Sequence, residues 1–124
     1  MKIRIRGNTL RLRLTQSEVA LLGQEGKVQE EMNFSRKTHP FVYELITTSD
    51  PTLSAGLAKN KMTIKLPSVM ADKWVSSEEV GIESVQDNGR PGGLFILIEK
   101  DFACLTMRDG EDESDNFPNP NTTC

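Results

Sequence analysis

The residue-type pattern of positions 8 to 28 recurs at positions 60 to 80 without a gap, and this internal repeat restricts the fold more than any other feature. It calls for two copies of one unit. NTLRLRL (Asn8 to Leu14) lies over NKMTIKL (Asn60 to Leu66), each an alternation of basic and apolar residues that runs into a short helical stretch. The likeness continues through Val19 over Ala71, Leu22 over Trp74, Val28 over Val80 and Glu31 over Glu83. It spans a strand, a helix and the next strand, so an ancient duplication is expected.

The alternation also assigns faces. Lys2 to Arg6 and Thr9 to Leu14 put their cations on one side and Ile3, Ile5, Leu10, Leu12 and Leu14 on the other, with Gly7-Asn8 as the turn of a hairpin. Thr15-Gln16-Ser17-Glu18 has capping-box spacing, which predicts a helix over Ser17 to Leu22, ended by Gly23 and Gly26. Lys27 to Phe34 and Phe41 to Thr48 read as strands. Asp50-Pro51 then breaks the chain at mid-length. In the second unit Leu53 to Ala58 and Lys61 to Leu66 form a hairpin, and Pro67-Ser68 opens a helix over Ser68 to Val75. Val80 to Val85 and Leu94 to Phe102 are the last strands.

The order β-β-α-β-β, twice, implies an α+β fold with a mainly antiparallel sheet and two short helices. Curling that sheet into a barrel or tunnel would hide its edges, and a flatter sheet is the rival. At 124 residues the chain suits one domain, here residues 1 to 107 built of repeats of about 1–50 and 51–107, followed by an acidic Pro/Asn-rich tail, 108 to 124. Leu12, Leu14, Leu22, Ile64, Leu66 and Trp74 belong to the expected core. Phe117 is a buried-type aromatic within the acidic tail, so it is expected to dock on the domain and bring the tail acids near the N-terminal cations.

The net charge of −3 conceals an asymmetry. Residues 1 to 14 hold Lys2, Arg4, Arg6, Arg11 and Arg13 and no acid, whereas residues 108 to 124 hold Asp109, Glu111, Asp112, Glu113 and Asp115 against Arg108 alone. A pI near 5.2 argues against a general nucleic-acid binder, whose surface leans positive. No apolar run approaches the roughly 18 residues of a membrane span, and no signal-type stretch opens the chain. The expectation is a cytoplasmic protein with no membrane partner.

Arg4, Arg6, Arg11 and Arg13, with Lys61 and Lys65 from the second unit, would form an anion site if both copies turned that face toward one concave surface. Guanidinium forks match phosphate oxygens, and a confined field escapes screening. The plainer account is that these are exposed cations of half-buried strands. Glu31 matches Glu83, and Glu44 in FVYEL matches Glu99 in ILIEK. Carboxylates among apolar strand residues need partners, either the cations or a divalent metal such as Mg held by oxygen ligands.

The duplicated order, the charged alternation and the repeated acids together resemble the CYTH superfamily of triphosphate tunnel enzymes. That resemblance implies a closed antiparallel tunnel in which basic residues hold a triphosphate and acids hold metal. Its E-x-E-x-K strand is replaced here by Lys2-x-Arg4-x-Arg6, which removes the first metal-binding acids and leaves the anion-binding part. The stretches MKIRIRGNTLRLRLTQSEV, EKDFACL and EDESDNFPNP also resemble a family of small bacterial proteins of unknown function. That likeness covers nearly the full length and implies a cytoplasmic single-domain protein, with no activity attached.

Cys104 and Cys124 lack zinc-type spacing, alone or with His39, and a cytosolic disulfide is disfavoured, so Cys104 reads as a small hydrophobe behind the last strand. His39 reads as a solvated loop residue. No G-x-S-x-G, P-loop or dinucleotide fingerprint occurs, and NGRPGG is a turn. Three readings remain. The sequence favours a binding module for a phosphorylated small molecule or polyanion over an interaction protein using the acidic tail, and places a metal-dependent triphosphatase using Glu31, Glu44, Glu83 and Glu99 last.

Overall fold

In β2 (Thr9–Leu14) every leucine is buried and every residue between them is half-buried, the period-two signature of a strand with one face on a core. Its hairpin partner β1 (Lys2–Arg6) pairs with it antiparallel, Arg4 opposite Arg11 and Ile3 opposite Leu12. The computed structural model describes residues 1–103 and 113–119. Along the chain follow α1 (Gln16–Glu25), β3 (Lys27–Met32), β4 (Phe41–Thr48), β5 (Ser54–Ala58), β6 (Lys61–Pro67), α2 (Ser68–Ser76), β7 (Gly81–Gln86) and β8 (Leu94–Lys100). The order β-β-α-β-β thus occurs twice.

The strands form two separate four-stranded sheets, β1-β2-β8-β7 and β3-β4-β6-β5. The expected barrel or tunnel is not formed among the described residues. Each sheet joins the first hairpin of one half of the chain to the second hairpin of the other half. The outer pairings are antiparallel, but β2 runs parallel to β8 and β4 parallel to β6, so both sheets are mixed rather than antiparallel throughout.

Side chains, not backbone ladders, close the seams between the sheets, which is why no barrel results. At the β5–β7 seam the Gln86 amide imitates a strand: its Oε1 accepts from Ala55 N at 2.7 Å and its Nε2 donates to Ala55 O at 3.0 Å. On the β1 side, the α-amino group of Met1 lies between the carboxylates of Glu18 and Glu30, and the Tyr43 hydroxyl donates to Met1 O at 2.8 Å.

One core cluster fills the space between the inner faces and includes both helices. Leu12, Leu14, Leu22, Ile64, Leu66 and Trp74 are all in it, with Leu45, Ile96 and Ile98. The capping box forms, the Glu18 carboxylate accepting from Thr15 N at 3.0 Å. Yet α1 runs past Gly23, which does not end it. A Cβ at Gly23 would stand 2.9 Å from Val75 Cγ1, so the missing side chain lets α1 approach α2. Gly26 is the true terminus, left-handed at φ 73°, its N–H bonded to Leu22 O at 2.9 Å. A Cβ there would fall 2.8 Å from Thr47 Oγ1. Gly26→Ala is therefore expected to lose more than about 1 kcal/mol of stability, measured by urea unfolding.

Other boundaries shift by a few residues. β3 stops at Met32, leaving Phe34 exposed; Leu53 precedes β5 as a buried loop residue; Pro67 caps α2 while the Ser68 hydroxyl donates to Thr48 O at 2.8 Å; and β8 ends at Lys100.

The tail is not wholly irregular. Phe117 forms a parallel bridge with Phe102, with Ala103 N donating to Phe117 O at 2.7 Å and Phe117 N to Asp101 O at 2.8 Å. Asp115 O and Asn116 O accept from the backbone and side chain of Gln16 at 3.0 and 2.9 Å. No helix among the described residues is long and apolar enough to cross a membrane. Cys104, Cys124, Asp109, Glu111 and Asp112, on which sequence readings fell, lie outside the described residues.

Candidate functional site

Alternation in β1 and β2 places Lys2, Arg4 and Arg6 beside Arg13, Arg11 and Thr9 on the face of their sheet that points away from Leu10, Leu12 and Leu14. These cations face outward, over an open surface. The parallel neighbour β8 adds Leu97 opposite Arg11 and Glu99 opposite Arg13. Glu99 Oε1 accepts from Arg11 Nε at 2.6 Å and from Arg13 Nε at 2.7 Å, so one carboxylate serves two guanidiniums. Lys2 Nζ lies 3.1 Å from Oδ2 of the buried Asp101.

Arg4 and Arg6 have no ion-pair partner among the described residues. Arg4 also stands directly across from Arg11, an arrangement of like charges that weakens a strand pair unless something compensates. Two shallow depressions follow this row. One, of 180 Å³, is lined by Lys2, Ile3, Arg4, Arg11 and Arg13; the other, of 220 Å³, by Arg4, Arg6, Thr9 and Arg11.

Lys61 and Lys65 are not brought to this face. They lie on β6 in the other sheet, opposite Val42 and Ile46, pointing away from Ile64 and Leu66. The face they share centres on Glu44, which is buried beneath lysine stems. Its carboxylate accepts from Thr63 Oγ1 at 3.0 Å and lies 3.4 Å from Lys27 Nζ and 3.3 Å from Lys61 Nζ. Burial pushes the Glu44 carboxyl up, but the bonds from Thr63, Lys61 and Lys27 together outweigh it and hold the group below its ordinary 4.5.

A depressed native pKa stabilises the fold fully above the unfolded value near 4.5, and that contribution is lost as pH falls through the lower native value. In an acid titration of unfolding free energy, Glu44→Gln is expected to show a shallower loss of stability below that pH than the wild type. Equal slopes would mean that the lysines contribute nothing there.

The four acids do not assemble. Glu31 and Glu44 are on one sheet, Glu83 and Glu99 on the other, and Glu31 and Glu83 are exposed on edge strands. Among the described residues no group of three or more His, Cys, Asp or Glu is placed to hold a metal. The sequence match of Glu44 with Glu99 is also displaced in the structure. Glu44 pairs with Thr63, the repeat counterpart of Arg11, whereas Glu99 pairs with Arg13, two residues further on. His39 is exposed, as expected of a loop.

Sequence reading missed Lys100, which continues the inward face of Ile96 and Ile98 and is buried. Its Nζ lies 5.7 Å from the Trp74 ring centre and 5.6 Å from that of Phe117, and donates to Ser77 O at 2.7 Å. Desolvation lowers its pKa, opposed by Glu79 and Glu78. Period two along ILIEK already pointed this lysine inward. The tail acid Asp115 bonds to Ser17, which with Thr15 holds its carboxyl below the ordinary range, rather than to an N-terminal cation.

No curated protein and no solved structure matches the chain. The likeness at both ends of the sequence has a counterpart at full length: the model of DUF7009, a family of unknown function, matches residues 1–121, and the chain belongs to that family.

Proposed function

We propose that the chain is a binding module for a phosphorylated or polyanionic ligand, received on the outer face of β1 and β2 by Arg4, Arg6, Arg11 and Arg13. The observation that carries this reading is Arg4, a guanidinium without an ion-pair partner among the described residues, set directly across from Arg11. An anion between them would turn a repulsion into two charge-assisted contacts. Glu99 keeps Arg11 and Arg13 oriented toward the same depression, and its single charge leaves the row net positive. Lys61 and Lys65 take no part, because they occupy the other sheet.

The surface is open, so its field is exposed to salt, and the affinity should fall as ionic strength rises. Catalysis is no part of this reading, since the acids that a metal-dependent hydrolase would need are divided between the sheets. The same reading takes the two halves as descendants of one duplicated unit. Support comes from the shared pairing pattern of β1-β2-β8-β7 and β5-β6-β4-β3.

Isothermal titration of triphosphate at low salt tests the proposal. The wild type is expected to bind at least tenfold more tightly than an Arg11→Ala/Arg13→Ala double variant, with the difference shrinking in added salt. Equal binding by the two proteins would reduce the cations to protection of the exposed β1 edge.

A further inference from the structure

The β1–β2 turn separates two cavities that share a wall. Outside it lies the 220 Å³ depression of Arg4, Arg6, Thr9 and Arg11. Inside it lies a 160 Å³ cleft between the two sheets, whose lining includes Ile5, Leu10, Leu57, Met62 and Leu94. Thr9 lines both cavities. It also provides the one hydroxyl, amide or charged side-chain group among the described residues of the cleft. Ile5 and Leu57 stay 60% and 67% exposed beside it, large apolar surfaces that nothing in the described chain covers.

We infer that the ligand of this site is an amphipathic anion, a phosphate ester whose organic part is one aryl ring or a short branched alkyl chain. The inference rests on the anion reading above and adds the organic part. A cationic row alone would suit any polyanion. A cationic row that adjoins an apolar cleft at a single threonine matches a ligand with one charged end and one apolar end. The size is restrictive, because an apolar cavity of about 150 Å³ accommodates a single benzene ring. The phosphate lies on Arg4, Arg6 and Arg11, the ester linkage passes the Thr9 hydroxyl, and the ring enters between Leu10, Leu57 and Met62. Burial of the ring also removes Ile5 and Leu57 from water, so this part of the affinity persists when salt screens the arginines.

The experiment compares inorganic phosphate with phenyl phosphate by calorimetric titration at low and moderate salt, for the wild type and for Leu57→Gln. Leu57 is exposed on an edge strand, and glutamine is neutral, so the variant keeps both its fold and its charge. Phenyl phosphate is expected to bind the wild type at least tenfold more tightly than phosphate. In Leu57→Gln that advantage should fall below about threefold while phosphate affinity is unchanged. Equal affinities for the two probes in the wild type would overturn the inference and leave the anion reading standing. An advantage that survives intact in Leu57→Gln would overturn it as well, by seating the ring elsewhere. Binding of neither probe would end both readings.

Discussion

Truncation of Trp74 to alanine is expected to lower the unfolding free energy by about 3–5 kcal/mol, measured by urea denaturation at neutral pH. That is a large part of the roughly 5–15 kcal/mol that a domain has in total. Three losses coincide. The indole is fully buried between the sheets, so its removal leaves a cavity that Leu12, Ile64 and their neighbours cannot fill. Its Nε1 donates to Val80 O at 3.1 Å, and that carbonyl would lose a partner just before β7. Lys100 would also lose one of the two rings that face its ammonium. Trp74→Phe separates these terms, since it keeps most of the apolar volume and a ring beneath Lys100 while deleting the hydrogen bond. It should cost about 1–3 kcal/mol. A near-neutral result for Trp74→Ala would mean that α2 does not pack on both sheets as described.

Phe117→Ala is expected to destabilise the domain by about 2–3 kcal/mol, at the low end for a phenylalanine because the ring is only half-buried. The ring stands 5.8 Å from that of Phe102 and covers the second side of Lys100. Its backbone is bonded on both sides to the chain that leaves β8, and the adjacent Asp115 and Asn116 tie the start of α1. Loss of the anchor therefore exposes a buried lysine and frees the first turn of α1 together. Deletion of residues 108–124 should cost at least as much. An unchanged melting temperature in either protein would show that the docked segment adds nothing to stability.

Local periodicity made much of this molecule legible. Alternation in KIRIR, TLRLRL and KMTIKL assigned inner and outer faces correctly, because successive side chains on a strand must point to opposite sides. The helices followed from the capping-box spacing of Thr15 to Glu18 and from the Pro67-Ser68 opening. Phe117 was readable because an aromatic residue in an acidic run has a hydrophobic surface to bury. The misreadings were also local in origin. Gly23 looked like a helix end, but its lack of a side chain answers to Val75 on another helix, far along the chain.

The sequence by itself determined the elements, their order, the core side of β1, β2 and β6, and the row of N-terminal cations. Only the tertiary structure decided which strands became neighbours. Period two says which way a side chain points but not which strand lies beside it, and the parallel pairs β2–β8 and β4–β6 join residues tens of positions apart. Those pairings placed Glu99 beside Arg11 and Arg13, put Lys61 and Lys65 on the other sheet with Lys61 at Glu44, and kept the acids apart. The apolar cleft beside Thr9 likewise exists only because residues of β1, β2 and β8 in one sheet and of β5 and β6 in the other line it together. Hydrophobic burial drives such meetings without direction, so they are settled by how whole faces pack rather than by any segment alone.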